Sequence, residues 1–363
     1  MSKVPFKEEE LQAAGEHIHP TFIFGGPPVK YNTPITVREN VNACLRRDGS
    51  AMWIPSCFGD FLSVESRVNK DHIARAEVMD LGPLYSDEEK GGPDLFGIEW
   101  VYVPVVGGSM VKPGSPALEN ANDWPKVIQF PDVEAMDWEA CAKLNAPLND
   151  TERAYHITFQ NGLFERLISF MDFEGAAMAI IDDEQKDAVH ALFSRLCDMY
   201  EAMIGKYMEG LTIDGVMFHD DWGSQRAPFF SLATCREMLV PYLKRLADFC
   251  HSKGLWFEQH SCGKNELLVP AMVEAGVDLW FGQPMNDMDL LRAEYGDKIM
   301  FGVYPPETTP ETSDEEIDRL AKEFADKYAP DMGTRPVAMI DFVCDERFKK
   351  AVYKYSRMIL AEE

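Results

Sequence analysis

Cysteine is sparse in this chain, and no two of its eight cysteines form a Cys-x-x-Cys pair. That leaves no thiol pair to be read from local spacing. Cys44, Cys57, Cys141, Cys197, Cys235, Cys250, Cys262 and Cys344 are scattered. In a reducing compartment most are expected to be buried small hydrophobes, with one or two carrying chemistry. Positive charge is also short: 35 Lys and Arg stand against 61 Asp and Glu, a formal net charge of -26. Phosphate backbones and anionic lipids attract basic surfaces, so nucleic-acid and membrane-surface partners are disfavoured. The charge reads first as solubility and second as electrostatic choice of a protein partner. No apolar run is long enough to cross a bilayer, and the opening MSKVPFKEEELQ lacks the apolar core of a signal peptide. A cytoplasmic protein is the expectation. There is no fixed-period repeat and no low-complexity tract. No Gly-x-Gly-x-x-Gly follows a strand and opens a helix, so a dinucleotide-binding open sheet lacks its signature.

What the chain does have is bulk: 363 residues, 46% hydrophobic, enough for one large core. Residues 1–50 read as an extension carrying one helix, from Val37 to Arg47. Residues 51–57 read as a short strand, and 85–150, rich in Gly, Pro and Asp, as a hairpin or lid around a strand at Ile98–Val106. From 154 the pattern becomes regular. A strand at Tyr155–Gln160 is followed by helices near 162–172 and 184–209, the second with Leu192, Leu196, Met199, Met203 and Met208 at helical spacing. That stripe is expected in the core. Five strand–helix units then follow, with strands at Gly215–Asp221, Leu255–Cys262, Val277–Gln283, Lys298–Tyr304 and Pro336–Asp341. Ser313 and Glu316 form a capping box at one helix start.

Alternating β and α means a parallel sheet. Five units plus earlier strands near 52, 100 and 155 give eight, so the expected fold is α/β, a single-domain (β/α)8 TIM barrel. A doubly wound open sheet is the alternative. Barrel function sits at the C-terminal strand ends. Here those ends read Gln160-Asn161, His219-Asp220-Asp221, His260-Ser261-Cys262, Gln283, Tyr304, and Asp341 followed by Cys344.

Residues alternate faces along a strand, so Glu258, His260 and Cys262 share one. His260, Cys262 and Cys344 make a His/Cys/Cys set, the donor pattern of a catalytic zinc site with one open position. Taken singly, His260 reads as a hydrogen-bonded core histidine and Cys344 as a plain thiol near a helix start. On a barrel, together, they read as metal ligands. Glu258 is a further ligand, an acid/base residue beneath the metal, or a buried carboxylate paired with a cation. Asp220 and Asp221 hold substrate, orient a ligand or cap the following loop, and one of the two must point away. His219, Trp222, Gln225, Gln283 and Tyr304 are the substrate-binding candidates. Trp222, Phe229, Phe230, Trp280, Phe281 and Tyr304 make the mouth aromatic, which suits an aromatic substrate or plain barrel packing.

The runs His260-Ser261-Cys262-Gly263-Lys264-Asn265 and His219-Asp220-Asp221-Trp222-Gly223-Ser224-Gln225, with Cys344 downstream, resemble the uroporphyrinogen decarboxylase superfamily. Within it they resemble the cobalamin-dependent methyltransferases, over roughly residues 150–363. The resemblance implies zinc on His260, Cys262 and Cys344, and methyl transfer to or from a corrinoid on a separate protein. It also suggests a homodimer. The chain departs from the decarboxylase branch, whose N-terminal segment is Arg-rich. Here that region reads GGPPVKYNTPITVRENV, with Arg38 alone, too few cations for a polycarboxylate. It departs from the thiol-methylating members at Glu258. An aryl methyl ether O-demethylase is the leading expectation. A methylcobalamin-to-thiol methyltransferase, a decarboxylase and a non-enzymatic corrinoid- or partner-binding barrel are the alternatives.

Overall fold

The computed structural model describes residues 4–17, 27–64, 68–75, 86, 88–105, 107–146, 149 and 152–362. Its centre is a curled, all-parallel sheet of seven strands. These are β1 (Phe61–Ser63), β2 (Ala154–Phe159), β3 (Gly215–His219), β4 (Trp256–His260), β5 (Leu279–Trp280), β6 (Met300–Val303) and β7 (Val337–Met339). They neighbour one another in chain order, and helices follow β2 through β7. The result is a TIM-barrel-like α/β fold. Central strands are buried on both faces, as β2 is along its whole length.

The two sheet edges meet through a short contact. Ser56 forms a parallel bridge with Met339, flanked by Met339 N donating to Pro55 O and Cys57 N donating to Met339 O, both at 2.8 Å. The stretch 51–57 thus contributes one bridge, and the strand proper lies later, at Phe61–Ser63. Pro55 has no N–H to extend the ladder. The strand expected at Ile98–Val106 runs Glu99–Val103 and belongs to a separate antiparallel sheet with Gly92–Pro93 and Gly108–Val111. Val106 lies outside the described residues. Its burial explains the placement: Trp100 is 5% exposed while Val101 beside it is 46% exposed. A strand with one wet face suits an antiparallel sheet rather than a barrel wall.

That small sheet and the helix Lys70–Arg75 are held to the barrel by buried ion pairs, chief among them those of Arg166. Arg166, on the helix Leu163–Ala179, pairs with Asp94 at 2.7 Å and with Asp71. The Arg166 side chain is fully buried and stacks over Phe96. Elsewhere local signals govern. Thr36 and Glu39 form a capping box on the helix Val37–Arg46, and Arg47 closes it in the left-handed region. The Ser313 hydroxyl accepts from Glu316 N at 3.2 Å. The Leu192, Leu196, Met199 and Met203 stripe is buried, with Met208 packed at its edge.

His251 closes the N-terminal end of β4. Its Nε2 lies 2.7 Å from Asp278 Oδ2, which also accepts from Phe257 N. The Asp278 hydrogen bond raises the imidazole's pKa, against partial burial. A raised folded-state value favours the native state below the unfolded pKa, about 6.5, and is lost as pH rises through the folded value. Urea midpoints measured from pH 6 to 8 should therefore fall slightly in the wild type, and His251→Gln should lose that slope. The effect stays below about 1 kcal/mol because the pair is partly solvated.

Candidate metal centre

Alternate residues of the strands face inward, and the strand register stacks them in layers. Gly215 pairs with Trp256, Met217 with Glu258, and His219 with His260. On the other side His156 pairs with Gly215, and Thr158 with Met217. The lowest layer is aromatic: Phe61, His156, Trp256 and Phe281 meet with centroids 5.4 to 6.2 Å apart. Gly215 belongs there because a Cβ would sit 2.0 Å from the Trp256 ring. Burial pushes His156 down to about 3, so it is neutral. The middle layer holds Thr158, Met217 and Glu258. The Thr158 and Ser63 hydroxyls bond at 2.7 Å, and Glu258 is 3% exposed. The top layer holds His219 and His260.

The ladder continues past the strand ends, since Asp220 N donates to His260 O at 2.9 Å. Residues 219 and 221 therefore stay beside 260 and 262. Ligand-capable atoms of His219, Asp221, His260 and Cys262 all lie within 4.8 Å of one another. The two imidazoles stack at 4.9 Å with 21° between planes. His260 Nε2 is 3.5 Å from Cys262 Sγ, and His219 Nε2 is 3.5 Å from Asp221 Oδ1. Asp221 Oδ1 also accepts from Cys262 N at 2.6 Å.

The tautomer of His219 follows from its surroundings. Its Nδ1 lies 3.0 Å from the Gln160 carbonyl oxygen, which can only accept. Nδ1 therefore carries a proton, and in the neutral ring the Nε2 lone pair is turned to the cluster. Glu165 Oε2 stands 3.6 Å from the same Nδ1 and pairs with Arg75. This carboxylate–imidazole arrangement is what orients metal-ligating histidines.

The structure separates the two aspartates. Asp221 faces the cluster. Asp220, fully buried, accepts from Glu165 N at 2.8 Å, Phe164 N at 3.2 Å and Trp222 Nε1 at 2.9 Å. It caps the helix Leu163–Ala179 and pins Trp222, rather than facing a substrate. Burial raises it to about 7 in spite of these donors. Trp222 is likewise fully buried, with its amide donating to Ser261 Oγ, so its ring packs the wall. Gln225 is exposed on the loop after β3. Gln283 Oε1 accepts from Gly263 N at 2.8 Å and so supports the loop that carries Cys262. Burial, with the Cys57 and Cys262 thiols, pushes Tyr304 up to about 12, a protonated donor beside the cluster. Glu258 lies one layer below His260, and its charge is one of those felt by buried Cys57.

Cys344 is not one of the four convergent residues. It follows the short turn Asp341–Val343 that leads off β7, and its thiol donates back to Asp341 O at 3.5 Å. Four residues of extra chain after the strand, Ile340 and the turn, bring its thiol back onto its own loop. Sequence reasoning assigned no role to Arg75, Glu165 and Cys57, none of which sits in a recognisable motif. Gln160 was visible only as a polar strand end. It is 1% exposed, and neither of its amide atoms has a hydrogen-bond partner among the described residues.

Gly263 is required by the loop: its φ is +91°, and a Cβ would meet Gly223 O at 2.4 Å. Gly263→Ala should displace Cys262 and weaken any metal binding at the cluster at least tenfold, at a stability cost of about 1–3 kcal/mol. Zinc titration beside a thermal melt would separate the two effects.

No protein-family model matches the chain, and no curated protein matches it in sequence. Among solved structures, a methyltransferase from Methanosarcina mazei superposes with a TM-score of 0.53 at 14% identity, over 90% of this chain and 98% of that one. A glycosylated endo-β-1,4-xylanase from Gloeophyllum trabeum gives a TM-score of 0.33 at 9% identity, over 62% of this chain and 82% of that one. A zinc-bound IolI protein gives 0.28 at 13%, over 62% and 81%. The likeness to the methyltransferase is one of fold and spans nearly all of both chains. The other two superpose too loosely to carry an argument.

Proposed function

We propose that this chain is a zinc-dependent methyltransferase. It moves a methyl group between a small methylated substrate, best an aryl methyl ether, and a corrinoid on a partner protein. One observation carries the reading: imidazole, carboxylate and thiol side chains converge at the C-terminal end of a TIM-barrel-like sheet. The donor set fits zinc. Bond lengths of about 2.0–2.3 Å around a tetrahedral zinc imply ligand–ligand edges of about 3.3–3.8 Å. The His260–Cys262 and His219–Asp221 separations, 3.5 Å each, lie in that range. Bound there, zinc would act as a Lewis acid on an ether oxygen or a thiol.

The chain's own residues do the rest. His260 and Cys262 would hold the metal. Gln160, its buried amide without a protein partner, and the protonated Tyr304 are donors for the substrate oxygen. Glu258, buried one layer below, exchanges the proton that the departing oxygen takes up. In the demethylating direction the carbon–oxygen bond breaks with its electron pair left on oxygen. The acceptor supplies the pair for the new bond to carbon. Polycarboxylate decarboxylation is disfavoured because Arg38 is engaged by Asp214 at 2.8 Å, at the opposite end of the barrel.

The test is metal analysis joined to an assay of methyl transfer to reduced cobalamin, across methoxylated aromatics, thiols and methylamines. About one zinc per chain and release of a phenol are expected. A metal-free protein with full activity would sink the proposal, and transfer to or from a thiol alone would reverse its direction.

A further inference from the structure

We infer that the metal set of this chain is His219, Asp221, His260 and Cys262, built from two adjacent strands, and that Cys344 is not a ligand. The inference rests on the zinc reading above and departs from the His/Cys/Cys pattern that the sequence resemblance implies. Its basis is a repeated two-strand motif. β3 runs out into His219-x-Asp221 and β4 into His260-x-Cys262, the histidine closing each strand and the second ligand standing two residues beyond it. The strands are parallel with His219 opposite His260, and the next rung, Asp220 N to His260 O, preserves that register. Positions i and i+2 on neighbouring parallel strands point the same way. Four ligand-bearing side chains thus form a quadrilateral without help from a distant loop.

Three details favour this set. The His219 Nδ1 proton is committed to the Gln160 carbonyl, leaving Nε2 as the ligating atom. That Nε2 and Asp221 Oδ1 are 3.5 Å apart, the edge length expected of two ligands on one zinc. Cys344, by contrast, donates to the carbonyl of Asp341 within its own turn.

The set has a chemical consequence. Zinc would carry one thiolate and one carboxylate, a harder site than one with two thiolates. Such a site suits an oxygen substrate. Asp221 has a second partner in the Cys262 amide, so it is the ligand that substrate oxygen replaces, which gives the exchangeable position a catalytic zinc needs.

The experiment measures zinc affinity and the thiolate-to-cobalt absorption of the Co2+-substituted protein, in the wild type and in C344A, C262A, H219A and D221N. Zinc affinity is expected to be unchanged within threefold in C344A, more than 100-fold weaker in H219A, and more than tenfold weaker in D221N. The cobalt band should be identical in wild type and C344A, and absent in C262A. His219 is buried, so H219A is compared by thermal melt. The isosteric D221N and the part-exposed C344A answer the question even if H219A misfolds. A cobalt band reduced by about half in C344A, or zinc lost from it, overturns the inference and leaves the functional reading intact if methyl transfer survives in the wild type. Metal bound through these four residues without transfer to any substrate overturns the functional reading alone. A wild-type protein that takes up neither Zn2+ nor Co2+ overturns both.

Discussion

On the proposed reading, Cys262→Ser is expected to cost the chain its zinc and its methyl transfer while leaving the fold intact. Four-ligand zinc sites in small domains bind with about 10–16 kcal/mol, so one ligand is worth roughly 3 kcal/mol, or more than 100-fold in affinity. A hydroxyl at this position is a far poorer zinc donor than a thiolate. Cys262 is half-buried and its neighbours are fixed by other bonds. Asn265 Nδ2 donates to Ser261 Oγ and Cys262 O, and Gln283 holds Gly263 N. The loop therefore keeps its shape without the sulfur. Inductively coupled plasma analysis after dialysis, with circular dichroism alongside, checks the prediction. Metal retained at one equivalent in the serine variant would remove Cys262 from the site.

Arg166→Ala should be the most destabilising single change at a distance from the cluster. The Arg166 side chain has no solvent exposure and neutralises Asp94 and Asp71, which are 0% and 3% exposed at their side chains. Its loss strands two carboxylates in a dry interface. Removing one partner of a buried pair costs about 3–5 kcal/mol. In a domain of this size that lowers the melting temperature by roughly 10 °C. The antiparallel sheet around Trp100 should loosen first, because Asp94 also accepts from the Trp100 indole at 3.1 Å. Adding D71N and D94N should restore part of the loss, since it removes the uncompensated charge. Differential scanning calorimetry of the single and triple variants decides between a buried-charge effect and simple loss of packing. Arg75 comes from the same helix as Asp71 and pairs with Glu165 beside His219. Loosening this segment should therefore reach the metal site as well.

The β/α rhythm after residue 154 was legible because each strand and helix announces itself locally, through apolar runs, caps such as Ser313 and stops such as Gly276. The shared face of Glu258, His260 and Cys262 was legible for the same reason, since alternation needs only one strand. Burial could be read with equal ease for the Leu192–Met203 stripe. The first strand could not be, because Ile54-Pro55 is apolar enough for a strand yet Pro55 cannot extend a ladder. The strand expected at Ile98–Val106 counts toward the eight of the barrel because it lies between turn signals, and its one-sided burial becomes visible only once its partners are placed.

By itself, then, the amino-acid sequence determined the strand–helix units after residue 154, the shared face of Glu258, His260 and Cys262, and a set of polar residues at the strand ends. The tertiary structure decided which members of that set meet. It turned Asp221 toward the cluster and gave Asp220 to a helix N-terminus. It stacked His219 on His260 and left Cys344 bonded within its own turn. The physical reason is range. Alternation and capping depend on residues a few positions apart, whereas convergence depends on register between strands some 40 residues apart, which the backbone ladder of the curled sheet sets.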